Sequence, residues 1–310
     1  MKKSPENSNP IFVSLQDLLA KEHSAQGFSF LAKKQKVRSI LGGKHASKLR
    51  GRGLDFEEVR NYVAGDDIRN IDWKVTARTQ KTHSRVYSEE KEKPTLIVVD
   101  QSKSMFFGTQ NKMKSVVAAE LAALTAFRIL KEGDRVGGVV FADNGIDIIS
   151  PKRNRKNILR FFEHIVQRNQ ELEHSEPVNH EQATDAVFKK IRNIVTHDFL
   201  IVVISDFRRY SKDVIKNIAQ MAQNNDVILA KVFDPMERVI PKTKLVIGDT
   251  KKQLNVDGKN RSIQQEFSEG FDTDFQNFEN EMKKHRIPVL KFDTVQPVDD
   301  QLKNMLSNKK

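Results

Sequence analysis

The 310-residue chain predicts an α/β fold, a doubly wound and mostly parallel sheet, with a smaller unit ahead of it. Two apolar runs, Leu96 to Val99 and Phe199 to Ile204, are continuous and rich in β-branched residues. Strands buried on both faces of a parallel sheet read this way. From Thr95 onward such runs alternate with segments of helical periodicity, the pattern of a sheet wound with helices. The first 94 residues lack that alternation. They are therefore assigned to an N-terminal subdomain, 95–297 to the sheet domain and 298–310 to a polar tail.

Taken in order, Ser14 with Asp17 marks a helix start. Gly42-Gly43 and Gly51-Arg52-Gly53 mark turns, and the charged run Glu89 to Lys93 before Pro94 reads as a hinge. After the first strand, Met113, Val116, Val117, Leu121, Leu124 and Phe127 recur at helical spacing, and the helix is expected to stop near Gly133. Arg135 to Phe141 is the second strand. Ile146 to Ile149 returns beside it after Asp143-Asn144-Gly145, because an Asn-Gly pair favours a tight hairpin. That strand makes one edge antiparallel.

Helices are expected at Lys156 to Arg168 and Glu181 to Val195, then a strand from Phe199 to Ser205. A helix from Lys212 to Asn224 and a strand from Val227 to Phe233 continue the alternation. Lys244 to Ile247 and Lys252 to Val256 flank Gly248-Asp249-Thr250 and read as an inserted hairpin, about 244–256. A helix from Ser262 to His285 and a last strand from Ile287 to Phe292 follow. The residues after Pro297 are polar, and a frayed tail is expected.

With no cysteine in the chain, disulfides, thiolate zinc sites and cysteine nucleophiles are excluded, and a reducing, cytoplasmic setting is expected. The longest apolar runs fall far short of a membrane span. A formal charge of +12 is unevenly spread. No acidic residue lies between Glu22 and Asp55, while Lys33, Lys34, Lys36, Arg38, Lys44, Lys48, Arg50 and Arg52 all do. Nucleic acid, anionic lipid or an acidic protein face could meet such a run. The run carries no interleaved aromatics to stack bases, so a solvated arm or an acidic protein partner is preferred over nucleic acid.

The segment TLIVVDQSKS, Thr95 to Ser104, places Asp100, Ser102 and Ser104 where an apolar strand gives way to a loop. The carboxyl ends of parallel strands are where such sheets build sites. A carboxylate and two hydroxyls at alternate positions offer hard oxygens that suit Mg²⁺, or Mn²⁺, better than a soft metal. Asp206 ends the strand Phe199 to Ser205. It would face Asp100 if those strands are neighbours, which right-handed crossovers and a hairpin on the opposite edge predict. Taken singly, each of these residues could equally cap a helix.

Asp100-Gln101-Ser102-Lys103-Ser104 with Ser205-Asp206 resembles the metal-ion-dependent adhesion site of von Willebrand factor A domains. The resemblance implies that Asp100, Ser102, Ser104 and Asp206 hold a divalent cation directly or through water. A Thr from a further loop completes that site in the family. Here no Gly-Thr stands before the helix at Glu181, and Thr184 is placed inside it. Either Glu173, Glu176 or Glu181, from the acidic stretch after Asn169, replaces it, or that stretch is a solvated loop.

Upstream, Gly51-Arg52-Gly53-Leu54-Asp55-Phe56, Arg60-Asn61-Tyr62, Gly65-Asp66-Asp67-Ile68-Arg69-Asn70-Ile71-Asp72-Trp73 and Ala77-Arg78 resemble the signature of domain-of-unknown-function family fifty-eight, as does Phe233-Asp234-Pro235 with Glu237. The resemblance implies a von Willebrand A-like domain in a protein associated with MoxR-type AAA+ ATPases. It makes such an ATPase and its client the expected partners. In the signature, Asp66, Asp67 and Asp72 alternate with Arg60, Arg69 and Arg78, with Trp73 as an apolar anchor. Such a network either locks the subdomain or docks a partner.

Three functions compete. A non-enzymatic, metal-dependent interaction module is preferred. In a phosphoryl-transfer enzyme Asp100 would resemble the nucleophile of haloacid-dehalogenase-like phosphatases, which implies a second Asp two residues on as general acid, and Ser102 stands there; no phosphate-cradling glycine loop is present either. A nucleic-acid binder would use the basic run and the cluster Lys152, Arg153, Arg155, Lys156 and Arg160, binding without sequence preference and with strong salt dependence.

Overall fold

The computed structural model describes residues 9–25, 54–89, 93–174, 180–208, 210–248 and 253–307. The chain divides into two units, one of residues 42–92 and the other of 1–41 together with 93–310. The start of the sheet thus falls where the sequence places it. The first 41 residues, assigned above to the N-terminal subdomain, group instead with the sheet body.

They do so through helix α1 (Leu15–Ser24), which packs on helices of that body. Its start is the capping box that Ser14 and Asp17 predict. The Ser14 backbone N–H donates to Asp17 Oδ2 at 2.9 Å, and the Asp17 N–H donates back to Ser14 Oγ at 3.2 Å.

The 42–92 unit pairs β1 (Leu54–Asn61) antiparallel with a later strand, and helix α2 (Trp73–Thr79) lies in the connection before that strand, β2 (His83–Glu89). Asp72 caps α2 by accepting from the N–H groups of Lys74 and Val75, both at 3.0 Å. Gln80 ends the helix in the left-handed region, at φ 55°.

The sheet body runs β3 (Pro94–Asp100), α3 (Lys114–Lys131), β4 (Arg135–Ala142), β5 (Gly145–Lys152), α4 (Arg155–Glu171), α5 (His180–Ile194), β6 (Leu200–Ser205), α6 (Lys212–Met221), β7 (Asp226–Phe233), β8 (Lys244–Gly248), β9 (Gln253–Asp257), α7 (Arg261–Lys284), β10 (Val289–Asp293) and α8 (Val298–Ser307). Six strands form one sheet in the order β10-β7-β6-β3-β4-β5, parallel except for β5. Strands β8 and β9 form the expected separate antiparallel pair. Because alternate residues of a strand face opposite sides, β3 feeds both cores. Ile97 and Val99 pack with residues of α1, α3, α4 and α8 on one face, while Leu96 and Val98 pack with residues of α5, α6 and α7 on the other.

Glycine has a specific use in β4. A Cβ at Gly138 would stand 2.1 Å from the Phe161 ring of α4, so only glycine lets that helix lie so close to the strand.

The expectation of a frayed polar tail fails. Residues 298–307 form α8, with Val298 and Leu302 buried and Met305 packed against the same core. These positions fall at i, i+4 and i+7, one stripe of the helix. Lys21 of α1 joins the packing, reaching Asp299 at 3.0 Å and Glu120 of α3 at 3.4 Å. Burial disfavours its charge, but Glu120 and Asp299 prevail and hold the Lys21 ammonium above the usual lysine range.

Candidate functional site

Strands β3 and β6 are hydrogen-bonded neighbours, pairing Val99 with Ile204 at their carboxyl ends. Asp100 and Asp206 therefore leave the sheet side by side, as their sequence placement predicts. Both are buried, with Ser102 buried beside them and Ser104 half-buried.

Asp100 accepts from the Ser102 N–H at 2.9 Å and from Ser205 Oγ at 2.6 Å. The Ser102 and Ser104 hydroxyls lie 3.2 Å apart, and Ser104 is also within hydrogen-bonding reach of Asp206. All four candidate ligands thus meet at one edge. Burial and the neighbouring Asp206 charge push the Asp100 carboxyl up to about 7, against the pull of the Ser205 and Ser102 hydrogen bonds.

Asp206 goes the other way. Burial would raise it too, but the Lys114 ammonium prevails and holds it below the usual carboxylate range. Lys114 Nζ donates to Asp206 Oδ2 at 2.8 Å and to Glu237 Oε1 at 2.7 Å. The Arg208 N–H occupies Asp206 Oδ1 at 3.0 Å, and Arg208 Nη1 reaches Glu237 Oε1 at 3.1 Å.

Glu237 and Asp234 form a capping box in the turn after β7, with Glu237 Oε2 accepting from the Asp234 N–H at 3.2 Å. Asp234 accepts from Thr109 Oγ1 at 2.7 Å and Thr294 Oγ1 at 2.6 Å, tying the stretch after Ser104 to the end of β10.

Lys114 and Tyr210 are the residues that sequence reasoning missed. Lys114 is the first residue of α3, where the helix dipole disfavours a cation, and it is 1% exposed. A lysine opening a largely apolar helix was the available signal, since it implies carboxylates close by. Tyr210 follows Asp206 by four residues. Its buried hydroxyl approaches Ser205 without closing a hydrogen bond, and burial with the nearby Asp100 charge raises it well above the usual tyrosine range.

The acidic stretch contributes less than expected. Glu173 is exposed, and its backbone carbonyl, with that of Leu172, accepts from Lys103 Nζ at 3.3 and 2.8 Å. Thr184 is inside α5, as anticipated. Glu176 and the side chain of Glu181 lie outside the described residues. The basic run from Lys33 to Arg52 lies outside them as well.

Donor chemistry supports a hard cation. Asp100, Ser102, Ser104 and Asp206 offer oxygens only, and Tyr210 adds an orphaned buried hydroxyl beside them. Asp100, pushed to about 7, touches no cation of its own. The residues therefore fit a divalent ion held at Asp100, Ser102 and Ser104. Lys114 already takes one oxygen of Asp206. Among the described residues no three His, Cys, Asp or Glu side chains gather as a metal cluster, so such a site would rest on its hydroxyls.

In the 42–92 unit the expected charge pairs form in part. Arg60 meets Asp66 at 2.8 Å and Arg69 meets Asp67 at 3.3 Å. Asp72, however, pairs with Arg85 at 2.9 Å rather than with Arg78, because β2 brings Arg85 back beside the cap of α2. Arg78 is exposed. Trp73 is not an anchor: it is 69% exposed on the first turn of α2, and Val63 and Ile68 are exposed too.

The family profile described as Protein of unknown function DUF58 matches residues 58–275. Uncharacterized proteins of Mycobacterium bovis and Mycobacterium tuberculosis are 28% identical over 211 residues, 68% of this chain. The chain spans 65% of the length of these relatives. Among solved structures, the conserved hypothetical protein BatB from Bacteroides thetaiotaomicron aligns over 69% of this chain and 98% of its own, at 16% identity and a TM-score of 0.41. The SpRpn10 VWA domain aligns over 68% and 94%, at 12% identity and a TM-score of 0.35. None of the described helices is long and apolar enough to cross a membrane.

Proposed function

Because the chain belongs to the DUF58 family, we propose that it is a non-enzymatic protein-interaction module whose docking depends on a divalent cation, Mg²⁺ or Mn²⁺, at the carboxyl edge of the sheet. The observation that carries this reading is the convergence of Asp100, Ser102, Ser104 and Asp206 from two adjacent strand ends. Asp100, Ser102 and Ser104 would hold the ion. A hard cation bound by so few protein oxygens keeps positions that a carboxylate of a partner can take. The protein's own part is to fix the donors: Ser205 orients Asp100, Lys114 orients Asp206, and the Lys103 ties hold the loop between them.

The partner is proposed to be an AAA+ ATPase of the MoxR type together with its client, with ATP hydrolysis residing in the ATPase and a cytoplasmic location. Support for this is the signature segment of the 42–92 unit. There Trp73, Ile68 and Val63 are exposed, while paired acids and arginines hold the backbone around them.

Two measurements test the proposal. Calorimetric titration with MgCl₂ is expected to give binding in the wild type and none in Asp100→Ala, with both chains folded by circular dichroism. Affinity capture from the native cell is expected to recover an AAA+ ATPase, and to lose it with EDTA or with Asp100→Ala. Equal recovery under all conditions would remove the metal from the interaction.

A further inference from the structure

We infer that Lys114 is an affinity-setting residue of this site, an internal cation that competes with a divalent ion for Asp206 and keeps ion binding weak. The inference rests on the metal reading above and adds a residue to it.

An ammonium as deeply buried as Lys114 requires anionic partners, and its two are Asp206 Oδ2 at 2.8 Å and Glu237 Oε1 at 2.7 Å. They come from the ends of β6 and β7, so one side chain at the start of α3 stitches three elements together. Of the two carboxylates at the site, Lys114 has satisfied one. With the Arg208 N–H on its other oxygen, Asp206 has both oxygens engaged. Asp100 and the two serines are left as the donors without a cation of their own.

The surroundings add positive charge. Arg208 bonds Glu237, and Lys231 lies near enough to feel both Asp206 and Lys114 while sitting over the Phe275 ring at 5.0 Å. An ion bound at Asp100 therefore meets a fixed ammonium one carboxylate away. Like charges at such range in a buried setting repel by an amount that changes affinity about ten-fold or more. A weak ion of this kind is held firmly only when an incoming carboxylate adds its own charge. Lys114 thereby makes cation and acidic partner bind together.

The experiment is calorimetric titration of the full chain with MgCl₂. Lys114→Met keeps the side-chain volume and is expected to bind Mg²⁺ about ten-fold tighter than wild type. Because that change removes the buried ammonium shared by Asp206 and Glu237, Lys114→Met/Glu237→Gln is compared with Glu237→Gln alone as a second pair closer to charge balance. The double variant is expected to bind tighter by a similar factor. Equal affinity within both pairs, with Mg²⁺ binding still abolished by Asp100→Ala, would overturn the role of Lys114 and leave the metal reading standing. Absence of Mg²⁺ binding in every protein would overturn the metal reading and this inference with it.

Discussion

Asn169 of α4 donates its carboxamide N–H to the Gln101 carboxamide oxygen at 3.0 Å, deep in the sheet body. Gln101 directly follows Asp100, and its own N–H₂ goes to the Ser115 carbonyl at 3.0 Å. The oxygen of Asn169 accepts from the Val13 N–H at 2.8 Å. Four segments are thereby fixed behind the loop of Asp100, Ser102 and Ser104 through two buried amides. Replacing Asn169 by Ala leaves the Val13 donor and the Gln101 acceptor unpaired, at a cost of about 2–3 kcal/mol. Urea unfolding followed by circular dichroism is expected to show the loss as a lower midpoint with an unchanged slope.

Asp100 makes stability depend on pH in a defined direction. Its folded value, about 7, lies above the unfolded one, so between about pH 4 and pH 7 the folded state binds more protons than the unfolded state. This group therefore reduces stability progressively as pH rises through that window, by an order of 2–4 kcal/mol in total. Asp100→Asn is expected to flatten that part of the profile in thermal melts run in EDTA and to stabilise the protein at pH 8. A steeper decline in the variant would contradict the assignment.

Metal binding should carry the same signature. An ion needs Asp100 ionised, so Mg²⁺ binding is expected to release protons below pH 7 and to tighten as pH rises through that value. Titrations repeated in buffers of different ionisation enthalpy measure the proton count directly.

Leu302 is 2% exposed in α8, so Leu302→Ala is expected to cost about 2–4 kcal/mol and to lower the melting temperature by several degrees. A frayed tail would tolerate the change with no shift.

Gly138→Ala places a methyl group where the Phe161 ring stands. Overpacking of about 1–3 kcal/mol is expected. The double change Gly138→Ala/Phe161→Leu should recover part of it, as a thermodynamic cycle by denaturant titration would show.

Much of the fold was legible because its strands announce themselves. The runs at Leu96 and Phe199 are too apolar for anything but a doubly covered sheet, and Asn144-Gly145 dictates the antiparallel edge. The adjacency of Asp100 and Asp206 followed from crossover handedness together with the hairpin on the opposite edge. What stayed hidden depends on contacts between distant segments. The lysine opening α3 implies carboxylates close by, but nothing local says that they are Asp206 and Glu237, 92 and 123 positions away. Arg85 could not be preferred to Arg78 as the partner of Asp72 without the register of β1 and β2. The tail misled because a stripe of Val298, Leu302 and Met305 is narrow, and only the presence of α1 and α3 gives it something to cover.

The grouping of residues 1–41 with 93–310 makes the 42–92 unit an insertion rather than an appendage. A single proteolytic cut on either side of it would not free a fragment. The short N-terminal piece stays anchored by α1, with Leu18 in the core and Lys21 on Glu120 and Asp299. A nicked chain would therefore migrate as one species in native electrophoresis and come apart only in denaturant.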